Sequence, residues 1–235
     1  VNDVPYLAPR AREEASTIND FRRPPDPPQF PKGTWKKRKV KVLLIVGTDC
    51  DTGKMTTAWE ITERLRKRGR DVRFVGTGQT GIMLGGYGVP VDAVVGDFMA
   101  GEIEYAIDEI GDQADLVVVE GQGRLPNMYY AGDRLGLMCG AMLDYTIMTD
   151  EPGRTIDVSN NQMASIGDVM KLHLALMKNF KQSQFLGRNL LTLKMAEDLA
   201  LKIIKKIDGK HQLPVTDLVR FGDGELIDRI EQELP

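Results

Sequence analysis

Short apolar runs alternate along most of this chain with longer stretches in which apolar residues recur every three or four positions. The run VLLIV at 42–46 has no polar member, the mark of a strand covered on both faces. After it, Met55, Ala58, Ile61, Thr62 and Leu65 keep helical spacing, and Gly69 is placed to stop the helix. Further strands are predicted at VRFVG (72–76), DAVVG (92–96), LVVVE (116–120), YTIMT (145–149) and around 184–191. Helices are predicted near 98–110, with Phe98, Ile103, Ala106 and Ile110 inward, and near 162–179 and 193–207. A last one follows LPVTDLV (213–219), near 224–233. This alternation predicts an α/β fold of three layers, a parallel sheet with helices on both faces. In such a fold, ligands gather beyond the carboxyl ends of the strands.

The first forty residues break the pattern. FRRPPDPPQFPKG holds five prolines in thirteen residues, which predicts an extended arm over 1–40 ahead of an α/β domain over 41–235. The run KKRKVK (36–41) superficially matches a nuclear-import signal, but it abuts the first strand and reads as a solvated lead-in to it. With 235 residues the chain buries roughly 70–75% of its unfolded surface, enough for one sizeable core. A formal net charge of −3 argues against general nucleic-acid binding. No apolar run approaches the ~20 residues that span a bilayer, and no signal peptide is visible, so no membrane partner is expected. Two cysteines, Cys50 and Cys139, cannot build a disulfide framework, which suits a reducing cytoplasm. The chain opens on Val1 instead of Met, as expected if an upstream part has been removed.

The candidate chemistry starts where the first strand ends. Gly47-Thr48-Asp49-Cys50-Asp51-Thr52-Gly53-Lys54 matches Gly-x-x-x-x-Gly-Lys between a buried strand and a helix, the setting of a P-loop NTPase-like phosphate cradle. Inward-pointing N–H groups, the positive helix end and the Lys54 point charge would together hold an anion. Met55 stands where a hydroxyl normally holds magnesium, and Thr56 is placed to reach a second phosphate. The expected cofactor contacts are Gly47, Thr48, Cys50, Asp51, Thr52, Gly53, Lys54, Met55 and Thr56. A magnesium ion would need oxygen donors from neighbouring strand ends, and Glu120 and Asp97 are the candidates. Each of them also has a plain reading as a cap for the element that follows. Asp49 and Asp51 would repel phosphate unless they face a cation or an amine substrate. Cys50 lies near a helix N-terminus and a lysine, but no histidine is near it in sequence to act as base, so it reads as structural. His173 falls in an amphipathic helical pattern, on the surface or in the core.

Three more segments reach the same edge. GTGQTGIMLGGYG (76–88) is rich enough in glycine to suggest backbone packed on a ligand, with a mobile flap as the rival reading. It offers Gln79, Thr80 and Gly81 as substrate contacts. EGQGRLPNMYYAG (120–132) brings Gln122, Arg124, Tyr129 and Tyr130. TDEPGRT (149–155) brings Arg154, a planar guanidinium suited to a carboxylate or phosphate unless it pairs with Asp150 or Glu151. The catalytic candidates are Asp49, Lys54, Glu120 and Arg154.

VGTDCDTGKMT, TGQTGI, VEGQGRL, YAGDRLGLMCG, EPGRT and LPVTDLVRFG, in that order, resemble the P-loop domain of the D-glutamate N-acetyltransferase family, formerly a domain of unknown function. The resemblance runs over residues 20–233 and includes the DFRRPP lead-in. Family members typically carry an additional Rossmann-like domain upstream, which is expected to precede this sequence. They usually have His-Pro after the EGQG segment, where this chain has Pro126-Asn127. The resemblance implies acetyl transfer from acetyl-CoA to a D-amino acid such as D-glutamate, with an acid such as Asp49, Asp51 or Glu120 taking the amine's proton. The loop would accept the pyrophosphate of coenzyme A as readily as that of ATP. More distantly, the chain is similar to dethiobiotin synthetase, which implies ATP as cofactor and a role for Glu120 in holding magnesium. An ATP- and magnesium-dependent carboxylate ligase or kinase, and a non-catalytic nucleotide-binding module, are the alternative functions. A small-molecule substrate is the expected partner, with room for a homo-oligomer.

Overall fold

A computed structural model describes residues 5–127, 129, 131–211 and 213–235. In chain order its elements are α1 (Leu7–Glu13), β1 (Lys41–Gly47), α2 (Lys54–Lys67), β2 (Val72–Val75), α3 (Gln79–Gly85) and α4 (Gly96–Gly111). They continue with β3 (Leu116–Val119), α5 (Ala131–Ala141), β4 (Tyr145–Asp150), α6 (Ile166–Met177) and β5 (Gln184–Leu190). The last are α7 (Glu197–His211), β6 (Val215–Thr216), α8 (Leu218–Phe221) and α9 (Gly224–Glu231). The strands form one parallel sheet in the order β2-β3-β1-β4-β5-β6. This is the three-layer, P-loop NTPase-like α/β fold that the apolar pattern predicts.

β1 lies between β3 and β4, with Leu43 opposite both Val118 and Tyr145, so both its edges are paired. Strand alternation sends Val42, Leu44 and Val46 into one layer and Leu43 and Ile45 into the other. The first layer packs on α4, α5 and α6 through Ile103, Ile107, Leu137 and Val169. The second packs on α2 and α9 through Ala58, Ile61, Leu65, Ile227 and Ile230. The chain builds β2 and β3 on one side of β1 and β4 to β6 on the other. That reversal opens a crevice at the carboxyl end of β1, where the phosphate loop lies. No helix among the described residues is long and apolar enough to cross a membrane.

Several local readings differ from the structure. DAVVG is not a strand: Val91–Ala93 is a single 3₁₀ turn, and α4 begins at Gly96. Pro90 lacks an N–H, and Val91 N–H is spent on the carbonyl of Thr77, so this run skirts the end of β2 without joining the sheet. Met55 is half-buried on the open side of α2, and Thr57 takes the core side, receiving Asn189 Nδ2 at 2.8 Å. α5 is not announced by apolar spacing because Gly136 and Gly140 stand where side chains would be. A Cβ on Gly140 would come 2.4 Å from the carbonyl oxygen of Ala100 in α4.

The arm is also more than a solvated lead-in. α1 has no buried residue, but residues 29–38 are strapped along α4. Glu102 accepts Gln29 N–H at 2.6 Å, and Glu104 accepts Lys32 N–H at 2.5 Å and Gly33 N–H at 3.1 Å. Arg38, in the middle of the basic run, is 5% exposed at its side chain and reaches Asp108 at 2.9 Å and the Ala141 carbonyl at 2.8 Å.

Candidate functional site

The loop from Gly47 to Lys54 is held from below by β4. Thr48 N–H donates to the Thr149 carbonyl at 3.0 Å, and its hydroxyl donates to Asp150 Oδ1 at 3.0 Å. Thr52 Oγ1 donates to the Asp49 carbonyl at 3.0 Å and lies 2.7 Å from Thr149 Oγ1. Asp51 and Gly53 take left-handed backbone angles, φ 57° and 85°, which turn the chain into α2. Lys54 is buried, and its ammonium donates to the Asp49 carbonyl at 2.5 Å. Burial, with the nearby Arg134 charge, pulls the Lys54 pKa down to about 8.

The Asp49 carboxylate turns away from the cradle. It is fully buried, and Oδ2 accepts Arg154 Nη2 at 2.7 Å and Val158 N–H at 2.8 Å. Arg154 also donates to the Cys50 carbonyl at 3.0 Å and only distantly, at 3.5 Å, to Glu151. Arg124 donates to Asp157 at 2.6 Å, while its Nε and Asp49 Oδ1 face each other unbonded at 3.9 Å. Asp49 and Arg154 are therefore knit into the wall that fixes the loop. Arg154 instead lines a neighbouring hollow of about 630 Å³ with Glu151, Lys194 and Met195.

The open side lies toward β3. A cleft of about 750 Å³ is lined by the loop residues Cys50, Asp51, Gly53, Lys54, Met55 and Thr56. Its opposite wall is Thr77, Gly78, Gln79, Glu120 and Gly121–Gly123. Glu120, 4% exposed, follows β3; its Oε2 accepts the N–H groups of Thr77 at 2.8 Å and Gly78 at 3.3 Å. Burial raises its pKa, with those two donors and Lys54 pulling the other way. Gly81 backs the carboxylate: a Cβ there would stand 2.0 Å from Oε2. Cys50 lines the cleft, but burial pushes its thiol pKa up, the opposite of an activated nucleophile.

Of the remaining candidates, Gln122 lines the cleft, whereas Thr80 is exposed outside it. Gly47, Thr48 and Thr52 are buried supports beneath the loop. Asp97 is exposed in the first turn of α4 and does not line the cleft; Asp92 and Asp133 do. Tyr130 lies outside the described residues, and Tyr129 is exposed. His173 is in the core, its Nδ1 2.7 Å from the Val169 carbonyl, and burial holds its pKa down to about 4. The sequence gives no sign of Arg134, Asp157, Val158 or Leu191, because their places depend on how later loops return to the P-loop.

Among the described residues no three His, Cys, Asp or Glu side chains converge to hold a metal. Glu120 Oε2 is engaged by two backbone donors, and Met55 replaces the usual hydroxyl.

The family model described as "Domain of unknown function (DUF1611_C) P-loop domain" matches residues 29–227. A D-glutamate N-acetyltransferase from Tritonibacter scottomollicae is 38% identical over 236 residues, covering 98% of this chain and 69% of that protein. A second, from a Pseudoalteromonas species, is 29% identical over 224 residues, covering 94% of this chain and 67% of that one. The crystal structure of a DUF1611 family protein from Anabaena variabilis superposes with a TM-score of 0.87 at 31% identity. It covers 93% of this chain, and this chain spans 65% of its length.

Proposed function

Since the chain belongs to the DUF1611 P-loop domain family, we propose that its cleft carries out N-acyl transfer, moving an acetyl group from acetyl-CoA to the amine of a small D-amino acid such as D-glutamate. The observation that carries the reading is one cleft joining an anion cradle, Lys54 and the loop amides, to a buried carboxylate of raised pKa, Glu120. The diphosphate of coenzyme A lies on the loop, with Thr56 at its outer edge. The amino acid sits against Glu120, Gln79 and Gln122. Glu120 takes one proton from the ammonium, and the freed lone pair attacks the thioester carbonyl. The C–N bond forms, the C–S bond breaks, and a second amine proton goes to the departing thiolate. Asp49 is excluded as the base in this scheme because its carboxylate is buried against Arg154, away from the cleft. The reading sets the reaction in a reducing cytoplasm, in keeping with the free thiols of Cys50 and Cys139.

The test is acetyl transfer from labelled acetyl-CoA over a panel of D- and L-amino acids. An N-acetylated D-amino acid, lost in Glu120→Gln with coenzyme A binding retained, is expected. Magnesium-dependent ADP release from ATP, stimulated by a carboxylic acid, would replace this reading with a ligase or kinase. Binding without any turnover would leave a nucleotide-binding module.

A further inference from the structure

Arg134, in the AGDRLGL turn of α5, has no surface at all, and the function proposed above does not use it. Its Nη2 donates to the Gly123 carbonyl at 2.9 Å, its Nη1 reaches the Ile45 carbonyl at 3.3 Å, and its Nε has no partner. Among the described residues no carboxylate lies within ion-pair distance of it; Asp133, its neighbour in sequence, lines the cleft instead. A buried guanidinium keeps its charge and normally carries a carboxylate with it. This one has only carbonyl oxygens.

Its position explains where the missing negative charge belongs. Gly121 and Gly123 line the cleft, and the guanidinium lies directly behind them. A Cβ on Gly121 would stand 2.9 Å from Arg134 Nη1 and 1.7 Å from the Ile45 carbonyl oxygen, so only backbone separates the charge from the cleft at that point. The second buried cation nearby, Lys54, also has a carbonyl as its acceptor. The Arg134 charge is felt at Lys54, and the low dielectric around the two preserves their field.

We propose that Arg134 is a positioning residue for a polyphosphate in this cleft: its buried charge stays uncompensated in the free protein and is completed, through the Gly121–Gly123 wall, by the phosphates of the ligand. The inference rests on the reading of the cleft as a phosphate site. It predicts opposite signs for stability and affinity. Replacing an unpaired buried charge with an apolar side chain of similar size relieves the free protein and weakens the complex.

The experiment compares the wild-type chain, Arg134→Met and Arg134→Lys. Calorimetry is run with AMP, ADP, ATP and coenzyme A, and thermal unfolding without ligand. Arg134→Met is expected to lose affinity in step with ligand charge, about 3-fold for AMP, 10-fold for ADP and 30-fold for ATP. Its melting temperature should equal or exceed that of the wild type. Arg134→Lys, which keeps the charge but not the planar fork, should stay within about 3-fold across the series. A purely structural staple would behave differently: both variants would melt earlier, and any loss would be the same for AMP and ATP. That pattern, or failure of Arg134→Met to fold, overturns the inference. Wild-type protein that binds none of the ligands overturns the function proposed above and this inference together. Wild-type binding with an unchanged charge series in Arg134→Met overturns this inference alone.

Discussion

The cations around the phosphate loop fall into two groups by what they pair with. Arg124 pairs with Asp157 at 2.6 Å, Arg154 with Asp49 at 2.7 Å and Arg188 with Asp150 at 3.2 Å. Lys54 and Arg134 have only carbonyl oxygens. Both groups are largely desolvated, so burial alone does not distinguish them. The difference is compensation. The first group closes its electrostatics within the protein and fixes the loop; the second leaves them open toward a cleft. Glu104 on α4 provides a reference, since there converging backbone N–H groups receive an anion that the chain supplies itself.

Breaking the closed side should have the largest effect. Asp49→Ala removes the acceptor of Arg154 and of Val158 N–H from a fully buried site, leaving a guanidinium and an amide to find new partners. The expected loss is about 3–5 kcal/mol of folding stability, read from denaturant midpoints. A loss under about 1 kcal/mol would mean that the paired side is not what fixes the loop, and the contrast would lapse.

Lys54→Ala tests the open side, with a smaller effect and in a different quantity. It should not lower folding stability near neutral pH, where the buried charge is a cost, and should weaken ADP or coenzyme A by about 1.5–3 kcal/mol, 10- to 150-fold. The pH dependence gives the sign. Lys54 is pulled down to about 8, so the free protein carries the ammonium below pH 8 and loses it above. An anion binds the charged form, so affinity should be greatest below pH 8 and fall as pH rises through that value. Stability runs the other way. The unfolded chain holds this proton up to its ordinary lysine pKa of about 10.4. Burial of the charge therefore costs stability below pH 8, and the cost is relieved as pH climbs from 8 toward that value. Lys54→Ala should flatten both profiles.

The closed group shows why part of the site could be read in the sequence and part could not. Lys54, Glu120 and Gln122 are local facts: each follows a fully apolar run that marks a buried parallel strand, and such strands deliver their next residues to the ligand-binding edge. Asp49 sits in the same motif, yet its role is set by Arg154 and Val158 more than a hundred positions away. Nothing in the spacing of TDCDTGK says which of its acids turns inward. Arg134 is harder still. An arginine in a helical turn rich in small residues normally points to water, and only the glycines of the facing segment let it lie beneath them. DAVVG fails for a related reason. Four apolar or small residues in a row fit a strand and a capped turn equally, and Pro90 decides between them through a hydrogen bond it cannot make. The arm misleads because its buried acceptors, Glu102 and Glu104, lie on a helix some seventy residues downstream.

The smallest expected effect concerns Met55, and it sharpens the open side more than any other change. The side chain is half-buried and lines the cleft at the helical position after Lys54, where a hydroxyl would ordinarily face a metal. Met55→Thr restores that hydroxyl and nothing else. Magnesium requires near-octahedral oxygen coordination, and one hydroxyl supplies a single donor. Glu120, the nearest carboxylate in role, has Oε2 bound to two backbone N–H groups, which hold the carboxylate in place. The variant should therefore change affinity for ADP or coenzyme A by no more than about twofold, and adding magnesium should move it by less than about threefold, as measured by calorimetry with and without chelator. Magnesium that tightened ADP by more than about tenfold in Met55→Thr would mean that one side chain had kept the ion out. The open charges of Lys54 and Arg134 would then be half of a metal–nucleotide site, and the transfer chemistry proposed for this cleft would give way to phosphoryl chemistry.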